Sequence, residues 1–430
     1  MRHLLSHLIP QSIKNIGWHL PQAVLANLWY GFPARELRVV GITGTNGKTT
    51  TTTLIGTMIE AAGKKVATAS TIAVRMNGET RVNATKYTTA SPWEVQRFLR
   101  EAVNGGCEYA VLEVSSHALD QYRVWGIHFE IAVITNLTRE HLDYHRTMDR
   151  YREAKRRLFC SADIGIVNAD MVGPDTFCLT VKKPITYSTK NPEATILAQD
   201  INLDFKGATF RALEHFFELH LPGLFNIENA LAMIATGQAL ALPVGAMQRA
   251  LRETRGIPGR MELVPNQRGI DILIDYAVTP DSFEKLYTTV AALKIPGTKI
   301  IHVFGACGER DRGKRPVMGH IASERADIIV LTNEDPYFED PEQIIDDIEK
   351  GLIKKRLTHD ATHETLVDTA GGYYRIFDRR EAIRKALSIA ETGDIVLITG
   401  KGAEETMAFG AKRVPWKERQ VVEEELEKIS

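Results

Sequence analysis

From Arg38 onward, short apolar runs alternate with helical patterns along the chain. The runs predict strands at Arg38–Thr43, Lys65–Thr68, Tyr109–Val114, Ile131–Asn136 and Ile164–Asn168, with helices such as Pro92–Asn104 and Met148–Leu158 between them. That order argues for an α/β domain with a mainly parallel sheet. After Pro184 the pattern changes to short alternating strands, Ala208–Arg211 and Phe216–Leu221, closed by a helix over Asn226–Ala241. The stretch Arg255–Gly259, RGIPG, reads as a hinge. A second α/β alternation follows, with strands at Ile270–Ile274, Lys299–Phe304, Ile328–Thr332 and Asp394–Thr399. The expected organisation is a short helical segment over 1–37, a central domain over 38–256 and a C-terminal α/β domain over 257–430.

Composition narrows the class. A chain of 430 residues, 44% hydrophobic and 25% charged, suits a globular protein of two or three domains. Its net charge of −1 gives no reason to expect nucleic acid or an anionic membrane as partner. Cys107, Cys160, Cys178 and Cys307 lie far apart with no CxxC pair, which argues against a zinc knuckle or a disulfide framework and fits a reducing cytoplasm. The opening MRHLLSHLIPQSIKNIGWHL has neither a long apolar core nor a cleavage site, so it reads as neither signal peptide nor transmembrane span. It reads as a pair of short amphipathic helices packed on the domain that follows, with peripheral membrane or partner contact as the alternative. The acidic tail Glu423–Glu427 reads as a solvated helix end.

The most specific chemistry lies in RVVGITGTNGKTTTTT, residues 38–53. A strand feeding a helix through a glycine turn aims backbone N–H groups at one point, an anion site. Lys48 adds a point charge for outer phosphates, and the Thr49 hydroxyl suits a phosphate-bound Mg²⁺. Ile42 stands where the common P-loop pattern has its first glycine, and Gly44 and Gly47 supply the turn instead. Nucleotide binding follows. In such a sheet, functional residues gather at the carboxyl ends of strands. YAVLEVSSH places Glu113 at one such end, where a carboxylate can hold Mg²⁺ directly or through water. IAVITNLTREHLD places Asn136, His141 and Asp143 at another, and His117 follows Glu113 closely.

GTNGKTTT, EVSSHALDQYRV, TNLTREHLDYH, YREAKRRLF, LPGLFNIENALA, GIPGRMELV, DYAVTPDSFEK, FGACGERDRGKRPVMG and TGKGAEE, in this order from about Arg38 to about Ala408, resemble the Mur ligase family. The resemblance implies a P-loop central ATPase domain and a Rossmann-like C-terminal ligase domain. It implies that Gly44, Thr45, Asn46, Gly47, Lys48, Thr49 and Thr50 bind ATP phosphates, and that Thr49 and Glu113 hold one Mg²⁺. His141 would help hold a second, and Lys155 matches the lysine that the family carbamylates. Without the modification, Lys155 in YREAKRRLF would read as an exposed helix residue. Asn226 and Asn229 resemble adenine-side asparagines, and Arg260 and Asp275 match C-terminal residues that close over the nucleotide. Thr88, Thr89, Ser115, Gln121 and Arg123 match positions that grip a muramoyl-peptide. On the amino-acid side stand Arg310, Asp335, Gly400 and Glu404, and the turn Arg310, Asp311, Lys314, Arg315 is implied to lie near the cleft.

The implied reaction is ATP-dependent addition of an amino acid, a diamino acid, to a UDP-N-acetylmuramoyl-dipeptide-like acceptor through an acyl phosphate, in peptidoglycan precursor synthesis. A monomer is expected. Four departures bear on this. About 37 residues precede the P-loop strand, where the family's uridine-holding domain spans on the order of a hundred; the uridine is then expected to be held differently, supplied by a partner or absent. Ala90 replaces the proline of a Thr-Thr-Pro loop, and Val278 a histidine. Glu334-Asp335-Pro336-Tyr337 stands for Asp-Asn-Pro-Arg, which disfavours a second carboxylate on the amino acid and suits lysine or ornithine. Gly400-Lys401-Gly402-Ala403-Glu404 lacks the histidine of Gly-Lys-Gly-His-Glu. Two alternatives keep part of this picture: a ligase for another carboxylate acceptor, as in folylpolyglutamate synthase, or a non-catalytic nucleotide-binding regulatory protein.

Overall fold

The computed structural model describes residues 10–83, 87–353, 358–359 and 372–429, so the first nine residues of the N-terminal segment lie outside the description. The chain forms two compact units, Met1–Arg255 and Gly256–Ser430, and the break falls inside the RGIPG stretch.

The first unit is built on nine strands: β1 (Arg38–Thr43), β2 (Val66–Ala69), β3 (Ala73–Met76), β4 (Glu79–Val82), β5 (Tyr109–Glu113), β6 (Phe129–Ile134), β7 (Ala162–Asn168), β8 (Lys183–Ser188) and β9 (Ile196–Leu197). Their order is β4-β3-β2-β5-β1-β6-β7-β8-β9. All pairings are parallel except the β2-β3-β4 meander at one edge. Val39, Val40 and Ile42 of β1 and Ala110, Val111 and Leu112 of β5 are buried, as strands covered on both faces require. β1 lies between β5 and β6, so the loops leaving these three strands open at one end of the sheet. An antiparallel sheet of β10 (Gln199–Asp204), β11 (Gly207–Ala212) and β12 (His215–Leu219) follows, and a helix over Leu224–Ala239 packs on the P-loop helix Lys48–Ala61.

The helix Pro92–Asn104 starts at a capping box, Ser91 with Glu94, and Pro92 occupies its first turn. The N-terminal helix Leu20–Tyr30 packs on it. The face used is that of Ala23, Ala26 and Asn27, all buried. Ile13, Ile16, Trp18, Leu25, Leu28 and Trp29 are exposed, so the amphipathic packing expected of this segment is inverted.

The second unit has strands β13 (Glu262–Val264), β14 (Asp271–Asp275), β15 (Ile300–Phe304), β16 (Ile328–Leu331), β17 (Thr358–His359), β18 (Gly372–Arg375) and β19 (Ile395–Thr399), in the order β13-β14-β19-β15-β16-β18-β17. Only β13 runs antiparallel. A hairpin of β20 (Thr406–Phe409) and β21 (Lys412–Pro415) precedes the last helix, Glu418–Ile429. That helix corrects the reading of the acidic tail: Glu425 is fully buried and accepts from Arg380, Arg384 and Lys428. Three cations converge on it, which holds its carboxyl down at about 2. Among the described residues no helix is long and apolar enough to cross a membrane.

Candidate active site

The loop after β1 is fastened to the end of β6. Asn136 clamps it, accepting from the amides of Thr45 through its carbonyl (3.0 Å) and of Asn46 through its side chain (2.9 Å), and donating back to the Asn46 carbonyl. Thr135 Oγ1 donates to the same carbonyl at 2.6 Å. The amides of Thr45 and Asn46 thus donate within the protein, while Gly47 to Thr50 form the first turn at the positive end of the helix. The Thr45 hydroxyl also turns inward, to Tyr151 and the Thr138 amide. Lys48 Nζ lies over the loop, donating to the Thr45 carbonyl at 2.8 Å.

Gly44 and Gly47 are required here by shape. At Gly44 (φ +149°) a Cβ would sit 1.9 Å from Thr135 Oγ1, and at Gly47 (φ +82°) it would sit 2.3 Å from Asn229 Oδ1. Asn229 and Asn226 are buried under the loop. Asn226 donates to the Pro222 carbonyl, Asn229 donates to Asn226, and Thr51 donates to Asn229. The asparagines matched to the adenine side thus brace the P-loop from below.

Thr49 Oγ1 donates to Glu113 Oε2 at 2.9 Å, joining the P-loop helix to the end of β5. Thr71, which no sequence pattern singled out, holds the same carboxylate through its amide (2.7 Å) and hydroxyl (2.9 Å). From Glu113 a continuous polar chain runs outward. Thr71 donates to Thr88; Thr89 donates to the Glu113 carbonyl and accepts from the Ser115 amide; Arg123 donates to the Thr89 carbonyl and, in a fork, to Gln121. Thr71, Thr88, Thr89, Ser115, Gln121 and Arg123, well separated in sequence, thus form one patch beside the carboxylate.

His141 caps a short turn in the left-handed conformation, φ 55°, and its ring meets His117 edge-on at 4.7 Å. Burial, reinforced by nearby His117 and Lys155, lowers its pKa to about 2, and burial lowers those of His117 and His145 to about 4. These imidazoles are neutral at physiological pH, the form that ligates metal. His145, unforeseen in the sequence, is held by Ser116 at 3.0 Å.

Lys155 is buried, contrary to the exposure its helical context suggests. Its Nζ donates to the Gly44 carbonyl at 2.7 Å and lies 4.6 Å from the Tyr151 ring. Burial first, and then the neighbouring Lys48, push its pKa well below the ordinary lysine value. Among the described residues no group of three or more His, Cys, Asp and Glu could hold a metal ion by itself. One carboxylate and one hydroxyl at a phosphate site suit Mg²⁺, which keeps waters and takes phosphate oxygens.

In the second unit, the Gly400–Glu404 turn carries a separate polar network. Lys401, fully buried, donates to Asp335 at 2.9 Å and to Glu404, which also accepts from the Tyr276 hydroxyl. Asp335 accepts from the Ala408 amide as well, at 2.7 Å. This corrects the reading of Asp335 as an acid available to a ligand: Lys401 neutralises it. Glu334 is the buried carboxylate whose pKa burial raises, and a Cβ at Gly400 would lie 3.0 Å from its Oε2. Tyr337 stands beneath the Arg413 guanidinium, 4.8 Å from its ring centroid. Arg310 is exposed and interacts with Cys307 and Tyr337. Arg315, by contrast, is fully buried on Glu339 and Asp347, so the charged turn splits between interior and surface. Asp275 accepts from the Met261 amide at 2.7 Å, its pKa raised by burial, and Arg260 lies 4.7 Å from the Tyr276 ring.

Residues 42–237 match the Mur ligase middle domain, and residues 259–402 match the Mur ligase glutamate ligase domain. The chain is 35% identical over 414 residues to the UDP-N-acetylmuramoyl-L-alanyl-D-glutamate–2,6-diaminopimelate ligase of Clostridium tetani, covering 95% of this chain and 81% of the relative. The protein so named in Thermosynechococcus vestitus is 40% identical over 408 residues, covering 92% and 78%. A solved ligase of that name superposes with a TM-score of 0.64 at 30% identity, covering 95% of this chain and 82% of the other. Folylpolyglutamate synthase of Mycobacterium tuberculosis shares the fold, with a TM-score of 0.72 at 16% identity over 89% of this chain and 92% of the other. The loop, the carboxylate that faces it and the matched domains agree: the chain belongs to the Mur ligase family and is an ATP-dependent ligase that joins an amino acid to a carboxylate.

Proposed function

We propose that this protein adds a diamino acid to a UDP-N-acetylmuramoyl-dipeptide in the cytoplasm, through an acyl phosphate. The observation that carries the reading is the Thr49–Glu113 contact at the mouth of the P-loop, continued by the Thr88–Arg123 chain. The acceptor carboxylate, steered by Arg123, attacks the γ-phosphorus; the new P–O bond forms as the bond to the ADP oxygen breaks. The amine of the amino acid then attacks the acyl carbon, the C–O bond to phosphate breaks, and the nitrogen loses a proton. Lys48 and the first-turn amides supply fixed positive charge where the phosphate charge moves. Mg²⁺, which Thr49 and Glu113 would hold, with His141 and a carbamylated Lys155 at a second ion, neutralises phosphate charge when bound. A buried, depressed amine is the form of lysine that reacts with CO₂, giving a carbamate and releasing a proton.

Glu334 would receive an amine of the incoming amino acid, and Tyr337 in place of arginine favours lysine or ornithine. The Arg413 guanidinium over Tyr337 supports a second reading, in which it meets the distal carboxylate of diaminopimelate. The test is phosphate release from ATP and Mg²⁺ with UDP-N-acetylmuramoyl-dipeptide and each of lysine, ornithine and diaminopimelate. Release that depends on acceptor and amino acid together is expected. Release indifferent to the amino acid would sink the ligase reading, and a strong preference for diaminopimelate would select the second reading.

A further inference from the structure

The helix Leu20–Tyr30 is pinned to the first unit by its small and polar face. Asn27 donates to the Trp125 carbonyl at 2.8 Å and packs on Gly126, where a Cβ would come within 2.8 Å of its side chain. Arg100 donates to the carbonyls of Tyr30 and Gly31 at the helix end. Upstream, Asn15 donates to Asp120 at 2.7 Å. With these bonds inward, the opposite face is fixed outward. It carries Leu25, Leu28 and Trp29 (77% exposed), at the i, i+3, i+4 spacing of one helical stripe. Ile13, Ile16 and Trp18 (67% exposed) are exposed just upstream, the last two in a π-helical turn.

With the inward face satisfied by hydrogen bonds, an outward face of large apolar side chains belongs in contact with something apolar. The local charge says which kind of surface. No Asp or Glu occurs before Glu36, although the chain carries 54 acids in 430 residues, and Arg2, Lys14 and Arg35 are the charges present. The near-zero net charge of the whole chain conceals this basic end. Two exposed tryptophans on one short helical segment can seat in a headgroup layer together, since an indole has an apolar body and a polar N–H. The helix is too short to cross a bilayer.

We propose that the Ile13–Trp29 face docks this ligase onto an anionic lipid bilayer, the helix lying in the interface plane with its tryptophans in the headgroup layer. Sedimentation of the full chain with vesicles of equal phosphatidylglycerol and phosphatidylcholine tests this, alongside pure phosphatidylcholine. Binding to the anionic vesicles, weakened by salt and accompanied by a blue shift of tryptophan emission, is expected. The double variant Leu25→Glu with Trp29→Glu should lower the bound fraction at least tenfold while its melting temperature stays at the parent value. Leu179→Glu, at an exposed apolar position elsewhere, should bind as the parent does. No binding to anionic vesicles, or equal binding by the double variant, overturns the proposal. So does a dimer in solution that the double variant dissolves without any vesicle binding by the parent, which would assign the face to a second copy.

Discussion

The Nζ of Lys155 donates a 2.7 Å hydrogen bond to the carbonyl oxygen of Gly44, so the floor of the P-loop rests on a buried amine. An ammonium there would sit near Lys48 in a poorly solvated place, and burial with that repulsion drives the amine toward its neutral form. The same position becomes an anionic ligand if the amine takes up CO₂.

Replacing Lys155 with alanine should lower the rate of phosphate release by about 10²–10³-fold, the scale of removing one preorganised charged group from an active site. Added formate or acetate should restore part of it, and a carbamate carbon should be visible by NMR with ¹³C-bicarbonate. Full activity in the variant would remove Lys155 from the metal site.

Gly47→Ala should destabilise the first unit by about 1–3 kcal/mol and abolish ATP binding, because the new Cβ meets Asn229. Gly63 is the control. It has a similar φ of +76° and no heavy atom within 4 Å, so Gly63→Ala carries only the backbone strain. Thermal unfolding and ATP titration of the two variants separate collision from strain; equal effects would count against the brace.

His302 is buried between Tyr287 (2.5 Å) and Thr399 (2.9 Å), and burial lowers its pKa to about 3. Its folded pKa lies below the unfolded value of about 6.5. Its contribution is therefore fully present above that pH and is lost progressively as pH falls toward 3. Between pH 6.5 and pH 5 the second unit should lose about 2 kcal/mol from this group. Urea unfolding at the two pH values measures it, and His302→Gln should flatten the slope.

Tyr337→Arg should raise kcat/KM for diaminopimelate relative to lysine by about tenfold or more, since a forked cation pairs with a distal carboxylate as a phenol cannot. If the ratio does not move, the amino acid is selected elsewhere, with Arg413 and Arg310 next to be tested.

Part of the candidate site is legible in the sequence because its pattern is local. The strand–turn–helix at Arg38–Thr53 declares a phosphate site from neighbouring residues alone, and the end of β5 follows from an apolar run that stops at Glu113. The helix Pro92–Asn104 carries its own start signal in Ser91, Pro92 and Glu94. What local pattern cannot carry is where a side chain's partner comes from. Lys155 looks exposed in its helix, yet the carbonyl it meets lies 111 positions away. The amides of Thr45 and Asn46 donate to Asn136, about 90 positions away, which the loop's own sequence does not announce. Asp335 looks free until Lys401 neutralises it, and Glu425 looks solvated until two arginines of another helix close on it. The N-terminal helix is the clearest case. Its composition marks it as apolar, but the face that turns inward is the one with Ala23, Ala26 and Asn27, whose Nδ2 donates to the Trp125 carbonyl 98 positions away. Sequence determined the nucleotide chemistry, which depends on adjacent backbone; tertiary structure decided the charge state and direction of each side chain, which depend on distant partners and on burial.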